Sequence, residues 1–536
     1  MGVCDSMPGE TGSQIPAWPD RDGLQIHPER KIYAERRMTA IVGGRDMAGG
    51  TNGRVTTGIE GLDELLDGGL VPGTSVMVEG APGTGKSVLA MQYILAGIER
   101  GEPGIYVSLE ETPERIYRDA GSFGWDFRAL ERENKLRVVA TSAAALRDQV
   151  IGGAAFRDMV AEIGARRAVM DSITMLQTVC NSPMDFRATL ATMIRGFEAE
   201  GLQLLLVRDE EASPAGDTCG FWSRYTVDTL LRLETEFMHG RIIRRLIRVV
   251  KTRGQGHVGG KHAYAILDDG ISVFARILPP PVEVAEMPSA RKGSGVPGLD
   301  EMLGGGYLSE RIAMISGPSG SGKTLLMLNY LADGARHGEH GLLMTTEQSR
   351  VEMTALAAGI GLDLEGFMSE GMLDVLCLHE MEFALDEVLY CLRKKLSGKR
   401  YARAAIDSLN SLGRIAAQPE FAIDGMVYVV ELLERMRVTS LLGYESPVIA
   451  GQMDISRAGI SGLASTVLLT RLVEIDGDVR KGIWVLKHRG SPHATEVRQL
   501  IVDEQGMRVH PGFEGYQGAL IGVPQTASHP GLSAAA

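Results

Sequence analysis

The 536-residue sequence predicts an α/β protein built from two tandem copies of one domain, each a mainly parallel sheet flanked by helices. Three observations carry this: a long internal repeat, short apolar runs alternating with helical stretches, and a glycine-rich loop ending in Lys-Ser or Lys-Thr after the first such run of each copy.

The repeat comes first because it sets the domain count. GLDELLDGGLVPGTSVMVEGAPGTGKS (61–87) returns as GLDEMLGGGYLSERIAMISGPSGSGKT (298–324). Lys86 maps to Lys323 and Glu110 to Glu347 at an offset of 237, while Asp171 maps to Asp407 and Lys251 to Lys487 at 236. A register kept within one residue across a whole copy is duplication; chance similarity of Gly-rich loops would not hold it. The expected organisation is an N-terminal extension (1–53), a first domain (54–278), a proline-stiffened linker (279–295), a second domain (296–510) and a C-terminal tail (511–536). Met38 is a second candidate start.

Within the first copy SVMVEG, GIYVSLEE, RAVMDSI, QLLLVRDE and LIRVVKTRG read as strands; IAMISG, GLLMTTE, ARAAIDSL, VTSLLGYE and GIWVLKHRG take their places in the second. Runs apolar on both faces, separated by stretches such as SVLAMQYILAGIER (87–100), indicate a parallel sheet covered by helices. Ligands of such sheets sit at the C-terminal ends of the strands.

Composition narrows the function. The net charge of −13 repels phosphate backbones and anionic membranes, which weighs against nucleic acid as a general partner. The five cysteines are scattered without a C-x-x-C pair, which suits a reducing cytoplasm. No window reaches about 18 uninterrupted apolar residues, and the N-terminus carries no export pattern, so no membrane role is expected.

GAPGTGKS (80–87) and GPSGSGKT (317–324) both satisfy G-x-x-x-x-G-K-[ST], between a strand and a helix. Such glycines let backbone N–H groups turn inward around phosphates, and the helix N-terminus adds its positive dipole end. The nucleotide-binding candidates are Gly80, Gly83, Thr84, Gly85, Lys86 and Ser87, with Gly317, Gly320, Ser321, Gly322, Lys323 and Thr324. ATP and Mg²⁺ are the expected ligands, the metal falling to Ser87 with Asp171 and to Thr324 with Asp407. Asp171 and Asp407 end their strands in VMDS and AIDS; a lone acid there would be an ordinary strand terminus, but these two recur in register.

The candidate catalytic carboxylates are Glu110 and Glu111 in the first copy and Glu347 in the second, where Gln348 replaces the second acid. Glu110 and Glu347 each lie 24 residues beyond the loop lysine, where a carboxylate can orient or deprotonate an attacking water or hydroxyl. KTRGQGH (251–257) and KHRGSPH (487–493) write K-x-R-G-x-x-H twice. A basic turn exposed to water would explain one of these, less readily two in register.

These features, with EETPERIY…GSFGWDF (110–127), resemble the KaiC family, circadian-clock ATPases and autokinases with tandem RecA-like P-loop domains; the resemblance covers roughly residues 54–520. It implies a homo-hexameric double ring with ATP between subunits, an ATPase in the first ring and phosphate transfer to hydroxyls in the second. It places Glu110 and Glu347 on the family's catalytic glutamates. Lys251, Arg253 and His257, with Lys487, Arg489 and His493, fall on residues that reach the neighbouring subunit's nucleotide. Alignment on Val473-Glu474-Ile475 puts the family's acceptor pair on Ser461 and Gly462, so one hydroxyl is missing; Ser456 is a further acceptor candidate. The family's C-terminal tail docks a regulatory protein; Phe513 and Tyr516 are aromatic residues of the tail here, suited equally to anchoring such a partner and to packing onto their own domain.

Two other classes compete. A nucleotide-gated signalling scaffold without a full kinase cycle would also keep both loops, and Gln348 and Gly462 lean that way. A RecA-like DNA motor needs basic channel loops; RDEEASPAGDTCGFWSRY (208–225) carries four acids against two arginines.

Overall fold

The computed structural model describes residues 53–147, 153–210, 218–238, 242–280, 290–378, 383–416, 419–446, 462–475, 477–512, 516–517 and 525–526. The N-terminal extension up to residue 52, Ser456, Ser461, Phe513 and most of the tail therefore lie outside the described residues.

Each copy folds around one nine-stranded sheet. In the first, β1 (Val76–Gly80), β2 (Gly104–Ser108), β3 (Leu136–Ala140), β4 (Arg167–Asp171), β5 (Gln203–Asp209), β6 (Thr229–Met238), β7 (Ile242–Lys251), β8 (His262–Leu267) and β9 (Gly270–Phe274) take the spatial order β3-β2-β4-β5-β1-β6-β7-β8-β9. The six strands from β3 to β6 pair in parallel, and β7 to β9 continue antiparallel.

A small pair, β10 (Arg291–Lys292) with β11 (Tyr307–Leu308), precedes the second sheet. That sheet has β12 (Ile312–Gly317), β13 (Gly341–Thr345), β14 (Leu373–Cys377), β15 (Arg403–Asp407), β16 (Thr439–Glu445), β17 (Thr466–Ile475), β18 (Asp478–His488), β19 (Arg498–Asp503) and β20 (Gly506–His510). Its order, β14-β13-β15-β16-β12-β17-β18-β19-β20, repeats the first.

The expected fold class holds, with one correction: five strands per copy were legible and nine are present. Of the four unread ones with their counterparts, β3 lies at a sheet edge and β8 and β9 in the antiparallel extension, while β6 is internal, between β1 and β7. β3 alternates buried and open positions, which makes a weaker run than a strand covered on both faces.

Strand alternation assigns the cores. Val76 and Val78 of β1 pack with Leu89, Tyr93 and Ile94 of the helix Lys86–Ile98. Met77, facing the opposite way, packs with Phe186, Leu190 and Phe197 of the helix Pro183–Ala199. That helix starts at Ser182, whose side chain accepts from Asp185 N–H at 3.1 Å, with Pro183 in the first turn where its missing N–H costs nothing.

One face of the helix Leu385–Gly398 joins the copies. Asp386, 2% exposed, pairs with both Arg244 of β7 and Arg276. One and two turns further on, Tyr390 meets Phe274 with ring centroids 5.7 Å apart, Arg393 pairs with Glu64 at 2.6 Å and Lys394 with Glu60 at 3.1 Å. Among the described residues no helix is long and apolar enough to cross a membrane.

Candidate active sites

In both copies the loop turns from the end of the central strand into a helix. Gly83 and Gly85 take φ of +80° and +89°, Gly320 and Gly322 +75° and +101°, a region where L side chains are strained. The turn locks itself: Thr84 Oγ1 donates to Ala81 O at 2.8 Å, and Ser321 Oγ to Pro318 O at 2.7 Å. Lys323 Nζ donates to the carbonyls of Gly317 and Pro318, both at 2.9 Å, and burial pulls its amine below the usual lysine range.

Parallel pairing brings the acids to this loop. Asp209 lies beside Gly80 in the β1–β5 register, and Asp171 beside Ser108 in β2–β4. Lys86, Ser87, Tyr106, Glu110, Asp171 and Asp209 therefore line one cavity at the C-terminal edge. Asp171 accepts from Tyr106 Oη at 2.7 Å, and Asp407 from Thr324 Oγ1 at 2.5 Å. Burial raises the carboxyls of Asp171 and Asp407 above the usual range; the bonds from Tyr106 and Ser87, and from Thr324, work against it. The peptide bonds Asp171–Ser172 and Asp407–Ser408 are both cis.

Glu110 and Glu347 stand two residues beyond β2 and β13 and accept from the serine after the strand-end aspartate: Ser172 Oγ at 2.9 Å and Ser408 Oγ at 3.1 Å. Glu347 also pairs with Arg414 at 2.5 Å, whereas the matched position of the first copy is Thr178. Glu111 pairs with Arg115 at 3.3 Å; partial burial raises its carboxyl against that arginine, helped by Asp119, Asp171 and Glu110. Gln348, its counterpart, donates its backbone N–H to Thr345 Oγ1 at 3.3 Å, matching the bond from Glu111 N–H to Ser108 Oγ at 2.9 Å.

Three groups escaped the sequence reading. Asp209 pairs with Lys86 at 2.9 Å, and Glu445 ends the matching strand of the other copy; a second in-register acid at a strand end was the available signal. Burial would raise Asp209, but Lys86 and the hydroxyls of Ser172 and Thr174 outweigh it and hold the carboxyl below the usual range. Under the first loop, fully buried Glu79 binds Arg208 at 3.4 Å, Arg224 at 2.8 Å and Arg232 at 2.7 Å. The second copy has Ser316 there, beside a Ser321–Thr470 hydroxyl pair at 2.8 Å. No periodicity links those arginines, which come from three elements. The third group is Tyr106.

The K-x-R-G-x-x-H residues do not join their own loop. β7 runs antiparallel to β1 and leaves the sheet at Lys251, level with Met77 and heading away from Gly80. Lys251 is two strands from β1, about 10 Å across, and roughly 10 Å back along the strands. Its Nζ donates to Val227 O at 2.5 Å; Arg253, 59% exposed, donates to Tyr225 O at 3.2 Å and Asp228 Oδ1 at 3.4 Å; His257 is exposed. Lys487 is likewise level with Met314, Arg489 is exposed and His493 half-buried. Burial, and then the adjacent arginine, lower the amines of Lys251 and Lys487.

Two such sheets, each carrying the Lys-Ser/Thr loop on its central strand and acids on the flanking strand ends, define a tandem RecA-like P-loop protein. The family model described as "ATPase: KaiC" matches twice, over residues 55–277 and 293–514, and the chain belongs to that family. It is 30% identical to the circadian clock oscillator protein KaiC of Parathermosynechococcus lividus over 484 residues, 87% of each chain. It is 30% identical to the protein of that name from a Picosynechococcus species and 29% to that of Synechococcus elongatus, each match spanning 88% of this chain and 92% of the relative.

Proposed function

We propose that the chain hydrolyses ATP with Mg²⁺ at sites completed by a neighbouring subunit of a homo-hexameric ring, in domains spanning 54–278 and 296–510. The observation that carries this is the direction of K-x-R-G-x-x-H, which turns away from its own loop in both copies. Basic groups with no reach to their own phosphates serve best across a subunit boundary, where Arg253 and Arg489 neutralise γ-phosphate charge in trans.

The loop glycines, with Lys86 and Lys323, hold the phosphates, and Glu110 and Glu347 orient the attacking water. The donor set fits Mg²⁺: each site pairs one hydroxyl with one carboxylate, and among the described residues no cluster of three His, Cys, Asp or Glu forms an all-protein cage. When bound, Mg²⁺ would supply positive charge that offsets the charge developing on the phosphate. Ser87 with Asp171, and Thr324 with Asp407, would hold it.

Mixed rings test the reading. Arg253→Ala and Lys86→Ala chains, both carrying Lys323→Ala, are each inactive in the first ring and recover phosphate release on mixing. No recovery refutes sites in trans.

In the second domain the reading extends to Ser/Thr autophosphorylation, with Ser461 and Ser456 as acceptors, in a cytoplasmic protein regulated by a partner at the tail. Gln348 and Gly462 favour a second reading, an ATP-gated signalling scaffold without a full kinase cycle. Intact mass after incubation with Mg·ATP separates them: an added phosphate lost in Ser461→Ala supports the kinase, and none on any residue supports the scaffold.

A further inference from the structure

The two copies differ at a buried position behind the strand-end carboxylate. Tyr106 of β2 is 2% exposed, and its hydroxyl donates to Asp171 Oδ2 at 2.7 Å. The register explains the reach: Ser108 sits beside Asp171, and Tyr106, two residues earlier, shares that face of β2. The matched residue of the second copy is Leu343, fully buried and without a hydroxyl. There the carboxylate oxygen Asp407 Oδ2 takes its bond from Thr324 Oγ1 at 2.5 Å.

One hydroxyl of the second copy thus has two tasks, facing the cation and fixing the carboxylate. In the first copy Asp171 takes bonds from both Ser87 and Tyr106, so the phenol is a second anchor that holds the carboxylate from the core. A buried tyrosine needs a partner for its hydroxyl in any case, so the bond alone could be a matter of packing. Its place argues for more: it holds the carboxylate that Ser87 also bonds, and groups that orient a metal-site carboxylate typically change metal affinity by about 10–100-fold.

We infer that Tyr106 is a positioning residue that orients Asp171 toward the divalent cation of the first site, making cation binding there less dependent on the loop hydroxyl than in the second. This rests on the reading of the first loop as a Mg·ATP site.

The test uses the full chain with Lys323→Ala, so that only the first site responds, and Mn²⁺ with a non-hydrolysable ATP analogue, followed by electron paramagnetic resonance. Tyr106→Phe is expected to raise the Mn²⁺ half-saturation about tenfold. Analogue affinity in EDTA stays within about twofold, because the phenol touches the carboxylate and not the phosphates. Unchanged Mn²⁺ binding overturns the inference, as does an equal loss of metal-free nucleotide affinity, which marks a packing role. If the parent chain binds no analogue with Mn²⁺, the ATP-site reading fails and takes this inference with it. Should Tyr106→Phe not fold, Leu343→Tyr on a Lys86→Ala background carries the test: Mn²⁺ affinity at the second site rises severalfold, and no gain overturns it.

Discussion

Asp209 holds Lys86 at 2.9 Å, so the lysine aimed at nucleotide phosphates in the first copy is already paired to an acid. Lys323 in the second copy bonds two backbone carbonyls instead. Phosphate must displace Asp209 to recruit Lys86, and the pair, with Asp209 35% exposed, is worth about 1 kcal/mol or less. Asp209→Asn is therefore expected to tighten nucleotide binding at the first site by up to about fivefold. Titration with a fluorescent ATP analogue on a Lys323→Ala background measures it, and weaker binding contradicts it.

Arg414 occupies Glu347 Oε1, while the matched position of the first copy is the uncharged Thr178. Both partners are over a third exposed, so breaking the pair frees the carboxylate for water at a cost of about 0.5 kcal/mol. Arg414→Ala should raise phosphate release from the second domain about two- to threefold in a Lys86→Ala chain, whereas Glu347→Gln lowers it about 100-fold or more. A fall with Arg414→Ala would instead make the arginine a positioning group.

His488, inside KHRGSPH, is buried between Thr466 Oγ1, 2.8 Å from Nδ1, and Arg291, 3.3 Å from Nε2. Burial, with Arg291 and His493, pushes it down from 6.5 to about 4. The folded ring stays neutral while the unfolded chain takes up a proton, so stability is full above pH 6.5 and falls as pH drops from 6.5 toward 4. The slope is at most about 1.4 kcal/mol per pH unit. Urea unfolding at pH 7 and 5 should show a loss of about 2 kcal/mol in the second domain, reduced in His488→Gln. An unchanged slope in the variant would assign the loss to other groups.

Asp386 binds Arg244 and Arg276 of the first domain from the second. Asp386→Ala leaves both cations without this partner and should cost about 2–3 kcal/mol, below the range for fully buried pairs because the arginines keep some solvent contact. The expected outcome in calorimetry is two separated transitions where the parent shows coupled ones; an unchanged profile would mean the Phe274–Tyr390 contact and the Arg393–Glu64 and Lys394–Glu60 pairs hold the domains without it.

Legibility followed spacing. The Lys-Ser/Thr loops, Asp171 with Asp407 and Glu110 with Glu347 could be read because each is a short motif held at a constant offset. Asp209, Tyr106 and the Glu79 arginines are joined by pairing between strands far apart in sequence, and nothing local marks them. Edge strands such as β3 were missed for a related reason: half-buried strands carry mixed residues that dilute the apolar pattern.

The sequence by itself determined the duplication, the α/β class and which residues could hold phosphate, because repeats and turn chemistry are local properties of the chain. Tertiary structure alone decided which of them meet. Parallel pairing collects the carboxylates at one edge of each sheet, while the antiparallel turn of β7 and β18 carries Lys251 and Lys487 toward the opposite edge. Strand direction is set by the pairing partner and not by the residues within the strand, so no reading of K-x-R-G-x-x-H alone could tell which way it points.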